Sequence, residues 1–272
     1  MDRIGIDFIS VFALPPVEYV NLAADLGCQY ISTALAPMTS NPHNYPAWSL
    51  RNDATLRWDM VAAMRDRGVS ITIAEGFIVR PGADVRDQAG DLGLLGELGV
   101  KRANIVSIDP DRSRSIDQLA TFAEMTGKAG MEATLEFGPR LAIGTLDAAL
   151  DAIQQIDQPH LKLVIDAMHF IRSGSRPADL KALSPGLIGY AQLCDVPLQS
   201  RYAEYMDEAR FDRRAPSDGE LPLLELVQAL PRDIVLGLEI PMLAKAQAGI
   251  GPRERLAPCV KAARDLLARL GE

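Results

Sequence analysis

The 272-residue chain is short of several features that mark common functions, and each shortage removes a class. Positive charge is scarce: 28 Lys and Arg stand against 36 Asp and Glu, for a net charge of −8. Nucleic acids and anionic membranes are bound by clustered positive charge, so neither is an expected partner. The three cysteines, Cys28, Cys194 and Cys259, form no CxxC pair and no zinc-type spacing. They read as reduced thiols in a reducing compartment. No run of 18 apolar residues occurs, so no membrane-crossing helix is expected. The opening MDRIGIDFIS lacks the long apolar stretch of a secretory signal, which makes the cytoplasm the expected location. Neither GxGxxG nor GxxxxGK(S/T) appears, so the glycine-rich phosphate turn of doubly wound nucleotide-binding sheets is missing.

What is present is an ordinary globular composition, 48% hydrophobic, with strand-like and helix-like segments alternating from end to end. Candidate strands are Arg3–Ile9, Gln29–Ala34, Ser70–Glu75, Arg102–Ile108, Glu132–Phe137, Leu161–Asp166, Leu187–Leu193 and Ile234–Ile240. Helical periodicity is clearest over Val17–Leu26, Ala54–Arg67 and Ile116–Lys128, followed closely by Gly27, Gly68 and Gly130. Eight strand–helix units in one chain of this length predict a single domain, residues 1–272, folded as a closed (β/α)8 TIM barrel. A doubly wound open sheet is the alternative. Two connections exceed what a barrel needs. Pro37–Asn52 carries His43, Tyr45 and Trp48, and Asp195–Gly219 carries Arg201, Arg210, Arg213 and Arg214. Both follow strand C-termini, the face where barrels place active sites.

Four apolar runs end in an oxygen-bearing side chain: ATLEF at Glu136, LKLVID at Asp166, LIGYAQ at Gln192 and IVLGLE at Glu239. Enclosing a carboxylate costs several kcal/mol, on the order of 3–5, unless a cation or hydrogen bonds compensate it. One such residue is an accident a fold can absorb. Three acids and an amide oxygen at the same end of successive strands predict one hard divalent cation. The competing explanation pairs each acid with a nearby base or gives it to a helix cap.

Other candidates carry weaker signals. His169 lies three residues past Asp166 in a DxxH pair, placed to move protons over the same mouth, or to serve as a hydrogen-bonded structural group. His160 precedes a strand and belongs to the lower end of a barrel. Asp195, just past Gln192, suits a ligand contact or a turn cap equally. Glu75 closes the third strand and can face the cavity or form a salt bridge. The basic run EARFDRR suits bidentate recognition of a carboxylate or phosphate, or a solvated loop face.

At this point the chain resembles a known family, the xylose isomerase-like TIM barrels, over nearly its whole length. The specific stretches are ATLEF, LVIDAMHFIRSG, IGYAQLCDVP, the turn Gly219–Pro222 and LGLEIP. The resemblance implies that Glu136, Asp166, Gln192 and Glu239 hold a divalent metal. Many members have His where this chain has Gln192. The amide oxygen points to Mg2+ or Mn2+ rather than Zn2+ or Co2+, and to branches near hydroxypyruvate isomerase and 3-dehydroshikimate dehydratase. The implied activity is isomerisation or epimerisation of a sugar-like hydroxy-carbonyl compound, with Glu136, Glu239 and His169 as proton-transfer groups. The implied alternative is a dehydratase of the 3-dehydroshikimate, inosose or keto-sugar type. A barrel that binds sugar without turnover is a third reading. Asp195, the loop arginines, His43, Trp48 and Glu75 are the expected substrate contacts, and the family frequently forms homo-oligomers.

Overall fold

The computed structural model describes residues 3–37 and 40–272. Met38 and Thr39, part of the expected Pro37–Asn52 connection, lie outside the described residues. Eight parallel strands close on themselves in sequence order. They are β1 (Ile4–Ile6), β2 (Tyr30–Thr33), β3 (Ser70–Val79), β4 (Arg102–Ser107), β5 (Glu132–Glu136), β6 (Leu161–Asp166), β7 (Ile188–Leu193) and β8 (Leu236–Leu238). The helices are α1 (Pro16–Asp25), α2 (Ala54–Arg67), α3 (Ala89–Glu97), α4 (Arg112–Lys128), α5 (Leu146–Ile156), α6 (Ala167–Arg172), α7 (Pro177–Leu180), α8 (Tyr205–Phe211), α9 (Leu223–Ala229), α10 (Leu243–Gln247) and α11 (Pro252–Ala268). This is the expected TIM barrel. None of the described helices is long and apolar enough to cross a membrane.

Three strands depart from their expected bounds by more than one residue at an end, each for a local reason. β1 stops at Ile6 because Asp7 leads into a 3-10 turn over Phe8–Val11. β8 is cut to three residues, and Pro241 beyond it has no N–H to extend a ladder. β3 runs on past Glu75 because an irregularity between Ala74 and Phe77, with Gly76 at φ +105°, lets the strand resume against β4.

The main core lies between barrel and helices, where residues such as Ile4, Leu135, Leu163 and Phe122 are fully enclosed. Inside the barrel, Ile73, Val164 and Tyr190 form a separate apolar cluster. Strand alternation places Val164 two residues before Asp166, and Tyr190 two before Gln192. The apolar cluster is therefore a floor beneath a polar mouth. Gly237 fits this layer because a Cβ there would lie 2.1 Å from the Tyr190 hydroxyl.

Candidate active site

The four strand-end residues occupy one end of neighbouring strands. Asp166 pairs in register with Gln192, Gln192 with Gly237, and the Glu239 N–H donates to Leu193 at 3.2 Å. Glu136 lies opposite Val164 on β6. Each makes different contacts. The Asn104 amide donates to Glu136 Oε2 at 2.6 Å. Asp166 Oδ1 accepts the backbone N–H of His169 at 2.7 Å and so caps α6. The capping explanation therefore holds for one of its oxygens. Gln192 Nε2 donates to Glu239 Oε1 at 2.9 Å, while Gln192 Oε1 is buried without a hydrogen-bond partner.

Arg213 enters this group from the loop after β7. Its Nη1 bridges Asp166 Oδ2 and, at 2.6 Å, Glu239 Oε2. Its Nε donates to the carbonyl of Ala209 at 2.7 Å. Two backbone ties fix the direction of approach. Arg213 N–H donates to Pro241 at 3.0 Å, and Arg214 N–H donates to Asp195 at 2.8 Å. In extended chain, neighbours face opposite ways, so Arg213 points into the barrel and Arg214 away from it.

Burial and that guanidinium together set the electrostatics. Loss of water raises Glu136 to about 7, and the Asp166 charge adds to the effect. Glu239 is pushed well above the usual carboxylate range, chiefly by burial, against the opposing pull of Arg213. Burial pushes Asp166 the same way, but Arg213 and then His169 overcome it and hold Asp166 well below that range. Burial lowers His169 to about 4, so its imidazole is neutral at physiological pH. His169 Nδ1 meets the Tyr205 hydroxyl at 2.6 Å and Nε2 faces Glu136 Oε1 at 3.6 Å.

A cavity of about 420 Å³ opens above these groups, lined by Glu75, Glu136, His169, Arg213 and Glu239, with Arg80 and Arg210 also on its wall. The remaining candidates fall elsewhere. Asp195 spends its carboxylate on backbone N–H groups of Val196 (2.9 Å), Ser217 (3.0 Å) and Leu221 (3.0 Å), which pins the loop. Arg214 reaches the carbonyl of Asp218 and lines a different cavity. Arg201 is exposed. Trp48 donates to the carbonyl of Ala13 at 3.0 Å and packs edge-on against Phe8, and His43 lies against Tyr45. Neither Trp48 nor His43 lines the mouth cavity. His160 is placed low, its Nε2–H donating to the carbonyl of Ala123 at 2.7 Å.

Asp7, Asn104 and Tyr205 were not singled out from sequence. Asp7 had a usable signal, since it ends the apolar run Ile4–Ile6 just as Glu136 and Asp166 end theirs. Asn104 and Tyr205 had none, because a neutral side chain on a strand or loop is ordinary.

The donor set fits a divalent cation. Glu136, Asp166 and His169 bring ligand atoms within 4.8 Å of one another. Gln192 Oε1 lacks a partner, and the acids outnumber the one guanidinium beside them.

Comparison with known proteins agrees with this architecture. No curated protein matches the chain by sequence. Among solved structures, the chain superposes on the IolI protein with a bound zinc atom at TM-score 0.79 and 16% identity, covering 98% of this chain and 99% of that one. It superposes on the probable 3-DHS dehydratase AsbF from Bacillus anthracis at 0.74 and 16%, covering 97% and 99%. It superposes on D-psicose 3-epimerase from Clostridium cellulolyticum H10 at 0.72 and 15%, covering 98% and 99%. Such identities speak for fold alone. The sequence pattern that defines the xylose isomerase-like TIM barrels matches residues 20–255, and this chain belongs to that family.

Proposed function

We propose that the protein is a divalent-metal-dependent isomerase or epimerase of a sugar-like hydroxy-carbonyl compound. The observation that supports this reading is the placement of three carboxylates and one amide at the same end of neighbouring strands, with Gln192 Oε1 left without a partner. Glu136, Asp166, Gln192 and Glu239 would hold the ion, and their oxygen-only donor set favours Mg2+ or Mn2+. When bound, such an ion polarises a substrate carbonyl and acidifies the adjacent C–H.

The chain's own residues supply the proton traffic. Glu136 and Glu239 line the same cavity from β5 and from just past β8, three strands apart around the ring. One carboxylate removes the proton from carbon and the other, approaching from a different strand, can return it to a second face or position. Asn104 fixes Glu136 through one oxygen and leaves the other towards His169. Burial pushes the Tyr205 phenol up, so it stays protonated and donates to His169 Nδ1. The remaining proton of the neutral imidazole then sits on Nε2, facing the cavity side and Glu136, where it can serve a substrate oxygen. Arg213 orients Asp166 and Glu239 by bridging them through Nη1.

The lyase reading is supported by one observation of its own: Arg80 and Arg210 on the cavity wall suit a carboxylated substrate. The two readings separate in D2O. Candidate ketoses, aldoses and cyclic keto-acids are incubated with Mn2+-loaded protein and followed by NMR and ultraviolet absorbance. Isomerase or epimerase action incorporates deuterium at the abstracted C–H, is abolished by EDTA, and creates no ultraviolet chromophore. A growing enone chromophore selects the lyase. Exchange that persists unchanged in EDTA contradicts the metal-dependent reading.

A further inference from the structure

The short helix α8 forms part of the wall of the mouth, where Met206, Ala209 and Arg210 line the cavity. A helix of seven residues does not hold its shape in water by itself, so its place has to come from tertiary contacts. Full apolar burial supplies little of this, since the buried residues of α8 are Glu208 and Ala209, one of them an acid. What ties α8 to the barrel is polar. We infer that Arg172 and Glu208 are a positioning pair, which seats α8 against α6 and, through Tyr205, holds the imidazole of His169 in its working orientation.

The connection between the two helices has the form of two rungs. The first joins the Tyr205 hydroxyl to His169 Nδ1 at 2.6 Å. The second joins Arg172 to Glu208, Nη1 donating to Oε2 at 2.6 Å and Nη2 to Oε1 at 3.0 Å. His169 and Arg172 lie three residues apart on α6, and Tyr205 and Glu208 three apart on α8. That spacing sets two side chains on one face of a helix. Each rung spans 36 positions of the chain, so the helices meet in a single register. Arg172 also links the rungs to each other, because its guanidinium carbon lies 5.8 Å from the centre of the Tyr205 ring. Its Nη2 donates to the carbonyl of Pro197 at 2.6 Å, which fixes the start of the loop that carries α8.

The chemistry of the pair suits positioning better than stability. Both side chains are enclosed, at 6% and 3% exposure. An enclosed ion pair is a weak source of stability, because the loss of water consumes most of the attraction. Its strength is direction: guanidinium and carboxylate meet in one plane through two parallel hydrogen bonds, which fixes distance and angle together. The rest of the His169 environment is equally restrictive. Its backbone N–H is held by Asp166 at 2.7 Å, and a Cβ on Gly138 would lie 2.8 Å from its Cγ. With Tyr205 on Nδ1, the nitrogen left to act is Nε2, which faces Glu136 at 3.6 Å.

The inference rests on the proposed proton traffic, in which His169 Nε2 serves the substrate, but its test needs no substrate. Histidine labelled with 15N is introduced into the full chain, and the Nδ1 resonance of His169 is recorded at neutral pH. Tyr205→Phe marks the position of an Nδ1 that has lost its hydrogen bond. Glu208→Gln should shift the resonance most of the way to that position. The double variant Arg172→Met with Glu208→Leu should do the same. Its apolar pair leaves no enclosed charge, so it keeps a cooperative thermal transition and carries the test if the single variant fails to fold. A pair that served stability alone would move the thermal transition and leave Nδ1 at its wild-type position. That result in the folded double variant overturns the inference and leaves the proposed function standing. An unshifted Nδ1 in Tyr205→Phe means that Tyr205 makes no hydrogen bond to His169, and overturns both the positioning pair and the tautomer assigned to His169.

Discussion

The two ends of the barrel treat charge in opposite ways. At the lower end, Glu132 on β5 lies between Arg102 of β4, at 2.8 Å, and Lys162 of β6. Arg3 is likewise joined to Glu272 at 2.9 Å. Each of these two acids has its cation beside it. At the mouth, several enclosed acids share Arg213, and burial lifts Asp7, Glu75 and Glu136 to about 7, 8 and 7. A chain of net charge −8 has acids to spare everywhere, so composition does not explain the contrast. The lower end is built for stability. The mouth gathers more enclosed acids than cations, an imbalance that the proposed metal ion would relieve.

The sharpest way to break this contrast is to remove the guanidinium that pairs with both Asp166 and Glu239. Arg213→Met should destabilise metal-free protein by about 3–5 kcal/mol, because it leaves two enclosed carboxylates without a counter-charge. Urea unfolding measures the loss, and saturating Mn2+ should restore most of it. An equal loss with and without metal would mean that Arg213 acts by packing and not by charge.

Next in size is Glu239→Gln, which keeps volume and removes a proposed ligand and proton carrier. Deuterium exchange into substrate should fall roughly a thousandfold, equal to about 4 kcal/mol of transition-state stabilisation. The thermal transition should remain cooperative.

A third test uses pH. The raised acids of the mouth bind more protons in the folded state than in the unfolded one, so their contribution to stability is present below about pH 4–5 and is lost as pH rises through about 7–8. His169 works in the opposite sense: its lowered value makes its contribution full above about 6.5 and lost as pH falls towards about 4. Between pH 6.5 and 8 the acids alone titrate. Metal-free protein should therefore lose thermal stability as pH rises across that window, and bound metal should flatten the slope. A flat profile without metal contradicts the charge imbalance.

The smallest effect belongs to the lower end. Glu132→Gln should cost no more than about 1 kcal/mol, since its ion pairs are partly exposed, and should leave turnover unaltered.

Much of this contrast was legible in the sequence. The period of strand and helix signals gave the barrel and its strand order, and β6 runs over Leu161–Asp166 as its pattern predicts. The strand-end rule singles out Glu136, Asp166, Gln192 and Glu239, which lie at one end of neighbouring strands, because an acid or amide closing an apolar run is rare and directional. The same rule applied to β1 would have found Asp7. The loop arginines were less legible. Arg210, Arg213 and Arg214 are chemically alike, and backbone ties to Pro241 and Asp195 decide that Arg213 turns inward and Arg214 away. Those ties join residues far apart in the chain, so no local pattern carries them. Asp195 shows the limit from the other side: its place beside Gln192 suits a ligand contact, but the backbone amides of its own loop claim the carboxylate first.

The most direct test of the unbalanced mouth is anomalous diffraction from crystals grown with Mn2+. The account predicts an anomalous peak among Glu136, Asp166, Gln192 and Glu239, with carboxylate and amide oxygens about 2.0–2.3 Å from the ion. A fully loaded crystal with no peak at the mouth, and with Arg213 still bridging Asp166 and Glu239, would contradict it.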